Sequence, residues 1–214
     1  SSMYINVGTL LPIYEETVPA TTNVLHELKK PWVLDPVAIG VGELRTQLLL
    51  QCKETKPSII RGNASEIIAL AGLWELDGGQ HNSNVRGVDS TDTVMAAKAA
   101  AKALATWTGG AVAVSGPEDL ITDGTQTLIS YGGSPMMTCV TGSGCSLGGV
   151  MAVYAAAADP FIAAATGAAV YNLAGKRAAA HAEGTGSFQQ YFLDELYKAT
   201  AEDISMNPFT IEEE

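Results

Sequence analysis

Basic residues are scarce in this chain. Lysine and arginine number 12 among 214 residues, against 23 aspartates and glutamates, a formal net charge of −11 at neutral pH. A field of that sign repels phosphate backbones and anionic lipid headgroups, so neither nucleic acid nor a membrane surface is an expected partner. An anionic metabolite is still compatible, because one arginine and a helix N-terminus can hold a phosphate against an unfavourable net charge. Cysteine is scarce too. Cys52, Cys139 and Cys145 are an odd set without a C-x-x-C pair, which argues against a disulfide framework and a zinc site. A reducing, cytoplasmic compartment is expected. The three histidines, His26, His81 and His181, have no spacing that suggests a triad or a metal site, and are expected to face solvent. Long apolar runs are missing as well. The longest uncharged stretch, Gly124 to Ala158, is broken by Gly132, Gly133, Pro135, Gly142 and Gly144, and its apolar part is too short to span a bilayer.

What is present suits a globular domain. Hydrophobic residues make up 47% and charged residues 16%, enough apolar surface to offset chain entropy. One domain over residues 1–203 is expected, followed by a C-terminal tail over 204–214 that ends in a solvated acidic stretch, Glu212 to Glu214. Short apolar runs ending in Gly, Pro or Asp alternate with longer helical stretches, the pattern of an α/β fold with a mostly parallel sheet and helices on its faces. Strands are predicted at Met3 to Val7, Trp32 to Leu34, Ser58 to Ile60, Ala111 to Val114, Leu120 to Thr122 and Thr127 to Ser130. Asp123-Gly124 joins the last two as a hairpin, so the sheet should turn antiparallel late.

Helices are predicted at Glu43 to Cys52, Ala64 to Leu70, Asp92 to Thr106, Cys145 to Ala158, Phe161 to His181 and Phe188 to Ala201. Asn63 would cap the second, and Ser90 or Thr91 the third. Leu10 to Lys30 also reads as helical, with Pro19 expected to break or kink it. Between Met151 and Ala182, 15 of 32 residues are alanine, a density that suits helices packed closely together. Leu76 to Gly87 reads as a surface loop.

The most informative segment is Thr138 to Gly149. It reads as a strand entering a small-residue turn, Gly142-Ser143-Gly144-Cys145, and then an apolar helix. Gly142 and Gly144 leave the first-turn N–H groups uncovered, and with the helix dipole those groups make an anion site. A well-capped connection with no ligand is the competing reading. The turn does not match the dinucleotide fingerprint, and no G-x-x-x-x-G-K-[ST] occurs. Cys145 stands at the helix start, where it would point at the same site, with a buried, inert cysteine as the competing reading, which Cys52 and Cys139 fit better.

Three polar clusters follow strands: Asp35, Arg61-Gly62-Asn63 and Ser115-Gly116. Ligands of open α/β sheets bind at the carboxyl ends of strands, which gives these clusters a shared address. Each is ordinary alone, since Asp-Pro starts turns and Asn63 with Glu66 looks like a capping box. Together with the Gly142 turn they supply a carboxylate for Mg²⁺, an arginine for phosphate oxygens, a hydroxyl and a backbone cradle, the parts that phosphoryl transfer needs.

With those residues in view, the chain resembles the hydroxyethylthiazole kinases, thiamin-salvage enzymes of the ribokinase-like superfamily. The resemblance runs from about Ile5 to about Tyr197. It is carried by Asn6-Val7-Gly8-Thr9, Pro31-Trp32-Val33-Leu34-Asp35-Pro36, Ile60-Arg61-Gly62-Asn63-Ala64-Ser65-Glu66-Ile67, Gly87-Val88-Asp89-Ser90, Ala113-Val114-Ser115-Gly116, Val140 to Cys145, and Gly184 to Phe188. It implies ATP-dependent, Mg²⁺-assisted phosphorylation of the primary alcohol of 4-methyl-5-(2-hydroxyethyl)thiazole, in a homotrimer with active sites between subunits. By family role, Arg61 and Ser115 would contact ATP phosphates, with Asn63, Ser143 and Gly144 on the nucleotide side. Asp35 and Glu66 would serve the metal and its waters, Gly142 would line the acceptor site, and Cys145 would be the catalytic base. Ser115 stands where many relatives have Thr, which keeps the hydroxyl. Family members carry a segment ahead of the Asn-x-Gly-Thr strand that supplies an initial strand and much of the thiazole pocket. These 214 residues hold no counterpart of it, so its acceptor contacts are unassigned. A hydroxymethylpyrimidine phosphate kinase and a non-catalytic ligand-binding relative stand as the alternatives.

Overall fold

A computed structural model describes residues 1–80 and 93–213. The expectations for His81, Ser90, Thr91, the Gly87 to Ser90 motif and the latter part of the Leu76 to Gly87 loop lie outside the described residues. One seven-stranded sheet organises the chain, its strands in sequential order. Strands β1 (Met3–Asn6), β2 (Trp32–Asp35), β3 (Ile59–Asn63) and β4 (Ala111–Ser115) are parallel neighbours. Strands β5 (Asp119–Thr122), β6 (Gln126–Ser130) and β7 (Phe209–Glu213) then add antiparallel.

The parallel strands are apolar on both faces because both are covered. Trp32, Leu34, Ile60, Val112 and Val114 share one core with Leu49, Ile67, Leu70 and Leu104 from helices α2 (Glu43–Thr55), α3 (Ala64–Leu73) and α4 (Lys98–Thr108), and with Trp74 at the end of α3. The alternate residues Val33, Ile59, Ala111 and Ala113 share a second core with Leu147, Met151, Tyr171 and Phe188 from α5 (Ser143–Ala155), α6 (Pro160–Ala179) and α7 (Thr185–Lys198). The alanine-dense region is where α5 and α6 meet. A Cβ on Gly167 would lie 2.7 Å from Met151 Cγ, so the small residues there set the helix separation. Among the described residues, no helix is long and apolar enough to cross a membrane.

Several local expectations hold. Asn63 caps α3 through a capping box with Glu66. Asp123 Oδ1 accepts the N–H groups of Thr125 and Gln126, closing the turn between β5 and β6.

Four expectations need correction. Helix α1 (Tyr14–Glu27) runs through Pro19. The carbonyl that loses its partner there belongs to exposed Glu15, where solvent replaces the bond. The helix expected at Asp92 to Thr106, of which Asp92 lies outside the described residues, starts as a 3-10 turn, Val94–Ala97, capped by Thr93 and continuing as α4. The segment before Gly142 is not a strand. Pro135–Cys139 is a 3-10 helix with Ser134 accepting the Met136 N–H, and a proline at its start has no N–H for a ladder. Cys139 is accordingly exposed, not buried. The C-terminal residues form a short helix α8 (Ala201–Ser205) and then β7, which covers the free edge of β6. Glu212 is solvent-exposed as expected, but it lies in β7 and pairs with Lys98 Nζ at 2.8 Å.

Candidate active site

The carboxyl ends of β1 to β4 lie side by side, since Asn6 pairs in register with Asp35 and Asn63 with Ser115. Four polar groups therefore reach one edge without any long loop. Arg61 is the hub. Its guanidinium is nearly inaccessible, with Nη1 3.3 Å from Asp35 Oδ2 and Nε donating to Ser115 Oγ at 3.2 Å. Burial opposes the charge on Arg61, and the Asp35 and Glu66 carboxylates outweigh it.

The Gly142 turn arrives at this edge by a different route. It is not the end of a strand. Gly142 has φ +85°, the left-handed conformation that glycine adopts without strain, and it starts α5 directly above Arg61. A Cβ built on Gly144 would lie 2.8 Å from Arg61 Nη2. The Ser143 N–H donates to the Val140 carbonyl at 3.2 Å, and the N–H groups that follow it in the first turn of α5 stand beside the arginine fork. Tyr171 on α6 donates to the Ser143 carbonyl at 2.8 Å, and Ser146 Oγ donates to the Gly142 carbonyl at 2.9 Å, so the turn is held from behind. Cys145 is half-buried in that first turn.

Asp35 is wholly buried. Burial pushes its carboxyl above the usual range, and Arg61, Tyr4 and Asn6 pull against that. Oδ2 takes all three donors: Tyr4 Oη at 2.7 Å, Asn6 Nδ2 at 3.1 Å and Arg61 Nη1. Oδ1 is buried and has no hydrogen-bond partner. An orphaned carboxylate oxygen costs free energy unless something binds it, so this atom fits a cation or a cation-bound water. Glu66 lies close by, its carboxyl pushed up to about 7 by burial and by Asp35, although it accepts the N–H groups of Asn63 at 2.9 Å and Ala38 at 3.3 Å. Asn63 uses its side-chain oxygen to cap α3 through the Glu66 N–H. Among the described residues, no group of three or more His, Cys, Asp or Glu could hold a metal by itself. A nucleotide-borne cation needs only one or two carboxylates beside the phosphates.

The structure therefore brings Asp35, Arg61, Ser115, Glu66 and the Gly142–Cys145 turn together, while His26 and His181 are exposed and apart. Sequence reasoning missed Tyr4, Tyr171, Asp119 and Asn172. Asp119 opens β5 beside Ser115. Its Oδ1 accepts the Gly116 N–H at 3.2 Å and its Oδ2 the Asn172 amide at 2.9 Å, which fixes the turn after Ser115. Burial pushes its carboxyl up to about 6. The one available signal was an acidic residue at the start of an otherwise apolar strand.

A family model described as the Hydroxyethylthiazole kinase family matches residues 1–202. The hydroxyethylthiazole kinase of Bifidobacterium longum is 46% identical, covering 98% of this chain and 72% of that protein. The enzyme of the same name from Leptospira interrogans is 46% identical, covering 92% and 71%. Among solved structures, a hydroxyethylthiazole kinase protein from Pyrococcus horikoshii OT3 superimposes with TM-score 0.83 at 28% identity, covering 98% of this chain and 76% of that one. A pyridoxal kinase from Staphylococcus aureus in complex with AMP-PCP shares the fold at TM-score 0.56 and 21% identity, covering 81% and 63%.

Proposed function

The chain belongs to the hydroxyethylthiazole kinase family, and from that premise we propose that it transfers the γ-phosphoryl group of ATP to the primary alcohol of 4-methyl-5-(2-hydroxyethyl)thiazole. The observation that carries this reading is the Arg61 guanidinium, stretched between the Asp35 carboxylate and the Ser115 hydroxyl beneath the first turn of α5. Cation, hydroxyl and uncovered N–H groups converge there, as a group with several anionic oxygens requires.

In the reaction, the alcohol oxygen attacks the γ-phosphorus, the bond to the bridging oxygen breaks, and ADP leaves with that electron pair. Arg61 and Ser115 contact the phosphates, and Asn63 and Ser143 border the nucleotide. The N–H groups of Gly144 and Cys145 cradle the transferring group, and Gly142 borders the acceptor. Asp35 would hold Mg²⁺, its unpartnered Oδ1 being the available oxygen, and Glu66 would serve the waters of the cation. When bound, the cation neutralises phosphate charge. Cys145 accepts the alcohol proton or orients the hydroxyl.

The base contributes modestly, because a loose phosphoryl-transfer transition state asks little of it. Cys145→Ser lowers turnover roughly 10-fold without abolishing it. Cys145→Asp retains or raises turnover, since a carboxylate is the better hydrogen-bond acceptor. The measurement is thiazole-dependent ADP release by the wild type and both variants, with hydroxymethylpyrimidine phosphate as the rival acceptor. Intact-mass analysis runs alongside. Faster turnover of the pyrimidine would overturn the substrate assignment. An inactive Asp variant beside a covalent adduct on Cys145 would replace direct transfer with a cysteine nucleophile.

We further propose a homotrimer with active sites shared between subunits. Leu193 and Tyr197 on α7, 60% and 92% exposed, are among the apolar side chains that a partner subunit would cover. Light scattering on the active protein decides it, and an active monomer sinks the shared site.

A further inference from the structure

Tyr4 lies outside the groups assigned above, yet its hydroxyl sits between two of them. Tyr4 and Asn6 are two positions apart on β1 and share one face of the sheet. Asp35 lies opposite Asn6 on β2. The Tyr4 ring is wedged under α5, where a Cβ on Gly148 would overlap it, so the ring position is set by packing. Its oxygen accepts from Asn6 Nδ2 at 2.9 Å. Two acceptors compete for its single proton: Asp35 Oδ2 at 2.7 Å and the Cys145 carbonyl at 2.6 Å. A carboxylate is the stronger acceptor of the two, and the Cys145 carbonyl lies in the first turn of α5, where the helix supplies its own donor.

Three donors therefore crowd onto Oδ2 while Oδ1 has none. An asymmetric set of donors fixes a carboxylate about its last torsion, which is otherwise broad. We infer that the Tyr4 hydroxyl is a positioning group, which occupies Asp35 Oδ2 and so presents Oδ1 as the oxygen that ligates the divalent cation. The inference rests on the reading of Asp35 as the metal carboxylate. It adds the atom that binds and the residue that orients it, acting as the partners behind a first ligand do in established metal sites.

Tyr4→Phe keeps the ring under Gly148 and removes only the hydroxyl. Mn²⁺ serves as the probe, titrated by electron paramagnetic resonance into the protein with ADP present. Tyr4→Phe is expected to weaken Mn²⁺ binding roughly 10-fold, as loss of such a partner does. Turnover at saturating ATP falls in step, KM for the thiazole alcohol is unchanged, and Tm stays near that of the wild type. A purely structural tyrosine would instead lower Tm and leave Mn²⁺ affinity alone. Wild-type Mn²⁺ affinity in Tyr4→Phe, with the affinity lost in Asp35→Asn, overturns the role of Tyr4 and leaves the metal carboxylate standing. Wild-type affinity in Asp35→Asn removes Asp35 from the metal site, and the inference falls with it.

Discussion

Arg61→Ala lowers turnover by about 100-fold or more and weakens ATP binding, because it removes the guanidinium that, among the described residues, lies at the edge where the phosphates are proposed to bind. The loss exceeds that of a surface arginine. Arg61 is buried, and Asp35 depends on it for charge. Breaking one side of a buried ion pair costs about 3–5 kcal/mol, so the variant also unfolds at lower temperature. Arg61→Lys separates the two effects. It keeps a positive charge near Asp35 and recovers stability, but an ammonium cannot replace a planar fork that reaches Asp35 and Ser115 together, so turnover stays low. Steady-state kinetics, calorimetric ATP binding and a thermal melt on both variants supply the test. Unchanged ATP affinity and turnover in Arg61→Ala would place the phosphate site elsewhere.

Gly144→Val abolishes turnover while the protein stays folded. The position is special for its surroundings and not for its backbone. Gly144 does not have the positive φ of Gly142, so a side chain is sterically tolerable as far as its own conformation goes. What a side chain meets is Arg61, whose Nη2 would lie 2.8 Å from the new Cβ and Nη1 3.3 Å. The guanidinium is held at its far side by Asp35 and Ser115, so it cannot yield without surrendering those bonds. The branched methyls of valine would also stand over the uncovered N–H groups. Gly144→Ala is intermediate. Circular dichroism and a melt verify the fold, and thiazole-dependent ADP release gives the activity. Near-normal activity of the valine variant would mean that the transferring phosphoryl group is held somewhere other than this turn.

The two predictions depend on one contact, Arg61 beneath Gly144, which joins residues 83 positions apart. The sequence made each partner visible for its own local reason. Arg61 follows an apolar run that is buried on both faces, and such runs stop at the sheet edge, where ligands bind. Gly144 belongs to a small-residue turn before a long apolar helix. Family resemblance implied a phosphate role for both, and the fold places the two side by side.

By itself, the sequence determined the order of the first six strands and of the longer helices, the parallel start and antiparallel turn of the sheet, the capping box at Asn63 and Glu66, and the polar residues at the strand ends. These follow from periodicity, turn chemistry and burial, all of which act within a few residues. Tertiary structure alone decided what those ends do together. It set Arg61 Nε on Ser115, 54 positions on, and Tyr4 on Asp35, 31 positions on. It hung the Gly142 turn from Tyr171 and drew β7 onto the edge of β6. The physical reason is register. Which side chains meet across a sheet edge depends on how the strands align and where the helices lie over them, and packing of the two cores sets both. A tyrosine in a strand reads the same whether its hydroxyl meets water or a buried carboxylate, and the fold of this chain gives it the carboxylate.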